Sequence, residues 1–256
     1  MTFTIENLEY FLFIFVRITG FVYVAPFFNL RNVPQRVKIG LSGFIAMILF
    51  SVLPYETVNY ATSIDYASII IREALCGVIL GFFTNIAFTI INFAGFMMDS
   101  EIGFSMASQF DPISNQQTSI SSNLYSYAVM LVMLASNLHH YILKAFIDSY
   151  VVVPLGEVII KPQMYALIVE FVASYFIIGF RIILPMFVSI LIVNIVLGIL
   201  AKVAPQINMF VVGLQLKVLV GLAILWFMAS LLPGVADFIF NHMMDMLKSA
   251  ITALGG

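Results

Sequence analysis

Asp99 and Glu101 stand one residue apart at the end of a long apolar run, and His139 and His140 are adjacent. An acid pair can divide general acid and general base work, and two histidines can hold a metal, but only if the backbone brings the groups together. A strand would place positions i and i+2 on one face; a helix would not. Adjacent histidines on a helix diverge by roughly 100° and cannot chelate one ion, and neither has an acid three or four residues further on. Polar contacts at a helix end are their simpler reading. Cys76 is the sole cysteine, so neither an intrachain disulfide nor a cysteine cluster can form, and its apolar neighbours make it a packing residue. There is no glycine-rich phosphate loop and no Gly-x-Ser-x-Gly elbow. Nothing in these residues specifies an enzyme, and no cofactor is expected.

The elements that carry these residues are apolar. The 256 residues are 62% hydrophobic and only 9% charged, against about 25% charged for a soluble domain. Mean hydropathy is +1.08. Runs long enough to cross a hydrocarbon layer of about 30 Å lie near 8–28, 74–98, 124–147, 182–200 and 207–232, with shorter ones at 39–53 and 164–180. These predict an all-α membrane protein with about six to seven hydrophobic helices. Glu6 and Glu9 replace the lysines of a secretory leader, so the first run is expected to stay in the mature chain. A net charge of −2 without a basic stripe argues against a nucleic-acid partner. Arg31, Arg36 and Lys38 cluster, which places the 29–38 loop on the cytoplasmic side by the positive-inside rule.

Five charges lie inside or at the margins of apolar runs: Arg17, Glu73, Glu170, Arg181 and Lys217. Each costs about 2.5–3.5 kcal/mol at a helix centre. Five left unpaired would cost roughly 15 kcal/mol, which exceeds the stability of a typical domain. Pairing within the chain, snorkelling to an interface, or contact with partner subunits must relieve them. Arg17 and Glu73 sit near segment ends, where snorkelling or local pairing suffices. Glu170 and Arg181 lie about 16 Å apart along a helix, too far for a direct pair.

Proline and glycine divide the chain. Pro26 and Pro34 bracket the first turn and Pro54 ends the next run. Gly77 and Gly81 place two bare backbone patches on one helical face, which permits close helix contact. Pro185 removes a helical hydrogen bond within 164–200, so a kinked helix or two halves are expected there. A secondary transporter, built around a broken-helix site near Arg181 and Pro185, is the alternative this feature raises. Pro205 breaks the chain before the last long run. The tail, 237–256, places Phe238, Met243 or Met244, and Leu247 at helical spacing and reads as an amphipathic helix lying at an interface.

One segment fits none of these elements. "GFSMASQFDPISNQQTSISS" (103–122) carries a single charge, Asp111, between two apolar runs. Exposed loops normally carry lysine and glutamate, whereas neutral donors and acceptors can bond one another without the desolvation cost of charges. Phe104, Met106 and Phe110 at its start can fill a constriction. A structureless twenty-residue loop is uncommon in a compact fold unless it has a function or is disordered. A movable plug in a pore would have all these properties; an ordinary solvated interhelical loop is the plainer reading.

Four stretches, in order, carry a resemblance along almost the whole chain: "RITGFVYVAPFFNLRNVPQRVKIGL" (17–41), "EIGFSMASQFDP" (101–112), "HHYILKAFIDSYVVVPLG" (139–156) and "AKVAPQINMFVVGLQLKVLVGL" (201–222). The sequence resembles the FliR family of flagellar export-gate proteins, whose injectisome counterpart is SctT. Leu138 departs from the glycine expected before the histidines. The resemblance implies a subunit of a helical, ring-like assembly with FliP-like and FliQ-like proteins, with an FlhB-like gate protein as a further partner and unfolded export substrates as cargo. It implies a FliP-like N-terminal part over 1–160, a FliQ-like helical hairpin over 161–236 with its bend at Pro205, Gln206 and Asn208, and the tail over 237–256. It implies localisation to the bacterial inner membrane within the flagellar basal body, with partner contacts at the five charges. It also implies a plug role for Gly103, Phe104, Ser105, Met106, Phe110, Asp111, Pro112, Asn115, Gln116 and Gln117, helping to seal a closed protein-export channel.

Overall fold

The structure, a computed structural model, describes residues 5–29, 33–55, 58, 60–104 and 119–255. Among these residues every regular element is an α-helix: α1 (Ile5–Val24), α2 (Gln35–Val52), α3 (Ser63–Ile102), α4 (Ile120–Ala135), α5 (Leu138–Val152), α6 (Gln163–Val203), α7 (Met209–Ala229) and α8 (Leu232–Leu254). Five contain stretches long and apolar enough to cross a membrane: α1, α2, Ser63–Asn85 of α3, α6 and α7. α4 and α5, bent by 75° at their junction, make a sixth if counted together. The bend replaces the continuous run expected over 124–147. Asn137, at φ 56°, takes the left-handed conformation there, which asparagine tolerates better than most residues.

Local chemistry sets the helix starts. Thr62 and Asp65 exchange hydrogen bonds ahead of α3, each side chain accepting from the other's backbone N–H at 2.9 and 3.2 Å. Asn208 caps α7 by accepting from the N–H groups of Phe210 and Val211. Pro205 and Gln206 lie with Asn208 in the short turn between α6 and α7.

α6 decides between the two outcomes expected at Pro185. It runs unbroken for 41 residues with Pro185 inside, so the 164–180 and 182–200 runs are one helix and not two halves. Proline deletes one hydrogen bond, but the long flanking turns each keep theirs, and Ser189 Oγ donates to the Pro185 carbonyl at 2.8 Å. The broken helix on which a transporter site would depend is not present.

The chain forms two compact units that interleave in sequence. The first comprises 1–87, 137–171 and 240–256; the second comprises 88–136 and 172–239. In the first, α1 buries Tyr10, Phe13, Ile14, Arg17, Ile18, Phe21 and Val22, a stripe at spacings of three and four. α1 also meets α3 backbone to backbone: a Cβ at Gly77 would collide with the Arg17 carbonyl, and one at Gly81 would lie 2.9 Å from the Phe21 carbonyl. The glycine pair read from the sequence is therefore filled by α1.

α8 corrects the expectation for the tail. It begins at Leu232, and in the first unit Met243, Leu247, Ala250 and Leu254 are buried within protein instead of lying at an interface. Phe238 faces outward, 48% exposed. The 153–161 segment ties down the end of α8, with the Ile159 N–H donating to the Leu254 carbonyl at 3.1 Å.

Candidate functional site: a serine clasp at the base of 104–118

Of the plug residues expected from the sequence, Gly103 and Phe104 are described. Ser105, Met106, Phe110, Asp111, Pro112, Asn115, Gln116 and Gln117 lie outside the described residues. The segment is also shorter than 103–122. α3 continues to Ile102 and α4 begins at Ile120, because Ser119 is an N-cap whose Oγ accepts from the Ser122 N–H at 3.1 Å. Gly103, at φ 94°, lets the backbone leave α3 through the left-handed region that a side chain would disfavour.

The two edges of this segment are joined by Asp99. Its carboxylate accepts from Ser119 Oγ at 2.7 Å and from the Ser121 N–H at 3.1 and 3.2 Å. About two turns before it, Asn92 Oδ1 accepts from Ser122 Oγ at 2.8 Å and from Ser126 Oγ at 2.7 Å. Between the two acceptors lies Gly95, where a Cβ would overlap the backbone of Ser122. Asn92, Gly95 and Asp99 fall at i, i+3 and i+7 on α3; Ser119, Ser122 and Ser126 repeat that spacing on α4. Two matched polar stripes thus hold the helices at close range. Asp99 is only 4% exposed, so the hydrogen bonds it accepts replace the hydration it has lost. Tyr125 OH extends the tie to α7 by donating to the Leu225 carbonyl at 3.1 Å.

Spacing along the chain makes Asp99 and Glu101 a poor acid pair on a helix and leaves the serines within the polar segment. The i, i+3, i+7 correspondence between two stretches on either side of the polar segment was the signal available. Sequence spacing alone does not say that the two helices face each other.

A second polar centre lies in the first unit. Arg17 Nε bonds Glu73 Oε2 at 2.5 Å with both side chains fully buried. Arg17 Nη1 donates to the Val153 carbonyl at 2.8 Å, and the Gly156 N–H donates to Glu73 Oε1 at 2.8 Å. The Arg17 guanidinium stands 4.5 Å from the centre of the Tyr150 ring. This centre joins α1, α3 and the "VVVPLG" turn after α5, so neither charge snorkels. The structure brings these two charges together and leaves the other three apart. Glu170 and Arg181 are exposed, Lys217 is half-buried, and among the described residues none of the three has an ion-pair partner. Among the described residues no group of three or more His, Cys, Asp or Glu is placed to hold a metal.

Both centres bond backbone groups, so the arrangement fixes backbone. The clasp sets where 104–118 leaves the helices, and the arginine centre locks three segments of the other unit.

Comparison with known proteins agrees with a role in transport. Residues 8–243 match the family described as "Bacterial export proteins, family 1". The chain is 30% identical to the flagellar biosynthetic protein FliR of Pectobacterium carotovorum subsp. carotovorum over 240 residues, covering 94% of this chain and 92% of that protein. It is 30% identical to FliR of Bacillus subtilis (strain 168) over 252 residues, 96% and 95% of the two chains. With FliR of Escherichia coli (strain K12) the identity is 27% over 244 residues, 93% and 91%. A multi-helix apolar chain, matched over almost its whole length by these proteins, belongs to the FliR family of bacterial export proteins.

Proposed function

We propose that this chain is a core pore-forming subunit of the flagellar type III protein export gate, and that 104–118 helps to seal the closed channel. The observation that carries the reading is the clasp: one buried carboxylate, Asp99, joins the edges of a polar segment with a single charge in a member of an export family. A seal needs a base that does not drift, and the hydrogen bonds that Asp99 accepts from Ser119 and Ser121 supply one. Unfolded substrate proteins would pass through the pore when the segment is displaced. The chain would act with FliP-like and FliQ-like subunits in a hetero-oligomeric ring, next to an FlhB-like gate protein, in the bacterial inner membrane within the flagellar basal body.

The division into a FliP-like 1–160, a FliQ-like hairpin over 161–236 and a tail over 237–256 belongs to this proposal. It describes likeness to partner subunits, whereas the compact units cut across it. Partner contacts are the proposed role of Glu170, Arg181 and Lys217 as a group.

The test is the small-ion leak across the inner membrane of the native bacterium, comparing a chromosomal copy lacking residues 106–115 with the intact gene. A leak with the complex still assembled is expected. No leak, with assembly and protein export intact, would overturn the seal.

A further inference from the structure

Within the second unit α7 is held along a narrow stripe. Gly213, Gly221, Leu225 and Met228 are its buried residues and share one helical face, while Trp226 on the opposite side is 82% exposed. Two positions of that stripe meet the helices on either side of 104–118. A Cβ at Gly221 would lie 2.6 Å from Ile102 Cγ1, so the Ile102 side chain seats on bare α7 backbone. Ile102 is fully buried and ends α3. Leu225, one turn further along α7, accepts at its carbonyl from Tyr125 OH at 3.1 Å, and Tyr125 lies in the second turn of α4. Leu214 stands beside Gly103, the residue at which the chain leaves α3, with its Cδ1 3.3 Å from where a Cβ would be.

These contacts fall close to the clasp. Asp99 joins the end of α3 to the start of α4, and α7 touches α3 about one turn after Asp99 and α4 about one turn after Ser121. Both contacts fix α7 in register. Sliding it by one residue would bring Val220 or Leu222 under Ile102, where even a methyl group has no room. The Tyr125 hydroxyl must reach one carbonyl, and a shift of about 1 Å takes it beyond hydrogen-bond range. The clasp fixes the two edges relative to each other; α7 fixes both relative to the rest of the unit.

We propose that α7 positions both ends of 104–118, with Gly221 and Tyr125 as the positioning residues. Gly221 holds the point of departure at Ile102, and Tyr125 holds the point of return in α4. A displacement of α7 reaches both edges together, through one steric contact and one hydrogen bond. The consequence for the channel rests on the seal reading; the positioning itself does not.

The full chain in mild detergent, treated with chymotrypsin, gives the rate of cleavage within 104–118, where Phe104 and Phe110 are the aromatic residues. Tyr125→Phe removes the hydrogen bond and keeps the ring, and cleavage about fivefold faster is expected. Gly221→Ala sets a methyl against Ile102, and cleavage about tenfold faster is expected. Gly179→Ala is the control, since its Cβ would lie 2.6 Å from Phe93 Cδ1, an equal crowding between α6 and α3 that does not involve α7. It should lower the melting temperature as Gly221→Ala does, yet change cleavage less than about twofold. Parental cleavage in both Tyr125→Phe and Gly221→Ala would overturn the positioning. Equal acceleration in Gly179→Ala would also overturn it, because any loosening of the unit would then suffice. Faster cleavage in the two α7-contact variants alone, with no small-ion leak from the assembled complex, would uphold the positioning and count against the seal.

Discussion

Asp99 and Ser119, twenty residues apart in sequence, are joined by a 2.7 Å hydrogen bond whose serine is also the N-cap of the following helix. One hydroxyl thereby fixes where α4 starts and where the preceding segment must return. The Ser121 N–H, which α4 itself leaves without a partner in its first turn, is satisfied by the same carboxylate. Helix capping and segment closure are one structure here.

Removing that carboxylate should loosen the base of the segment. Asp99→Ala leaves the buried Ser121 N–H and the Ser119 hydroxyl without their acceptor, at about 1–3 kcal/mol. Asp99→Asn keeps one acceptor oxygen and should cost less. Thermal unfolding of the purified chain, with limited proteolysis between 104 and 118, checks the order; cleavage no faster in Asp99→Ala than in the parent would count against the clasp.

The arginine centre should respond as a buried ion pair does. Arg17→Ala or Glu73→Ala strands the partner charge and should destabilise by about 3–5 kcal/mol. Replacing both with apolar residues of similar size should cost less than the two single changes summed, because no lone charge remains. A double-mutant cycle on thermal stability or membrane yield measures this, and strict additivity would show that the two charges do not act together.

The α1–α3 approach makes a contrast between two glycines. Gly77→Leu drives a side chain into the Arg17 carbonyl and should destabilise by about 1–3 kcal/mol or more. Gly40→Ala, on α2 with nothing within 4 Å of the added methyl, should be neutral or stabilise by up to about 1 kcal/mol. Comparable yields and melting temperatures for the two variants would contradict backbone contact at Gly77.

Phe104→Gly should raise the small-ion leak of the assembled complex, since a half-buried aromatic is lost at the start of the segment. Ser119→Ala is a poor control because it removes both cap and clasp. Ser249→Ala, an exposed hydroxyl that bonds only within its own helix, serves instead. Equal leak currents in the Phe104 and Ser249 variants would argue against packing at Phe104.

The sequence by itself determined the class of this protein. Apolar runs of membrane length, few charges, prolines and asparagines at the turns, and four ordered motifs together specified an all-helical membrane chain of an export family, because helical spacing and hydropathy are local properties. It also showed which charges needed relief. Tertiary structure decided which received it. Arg17 found Glu73 across 56 positions, and Asp99 found Ser119 across twenty, because helices α1, α3 and α4 pack closely at glycines where side chains would hold them apart. Hydropathy also called the tail an interfacial helix, but an apolar stripe has the same pattern whether lipid or protein covers it. Only the packing of 240–254 into the first unit distinguishes the two.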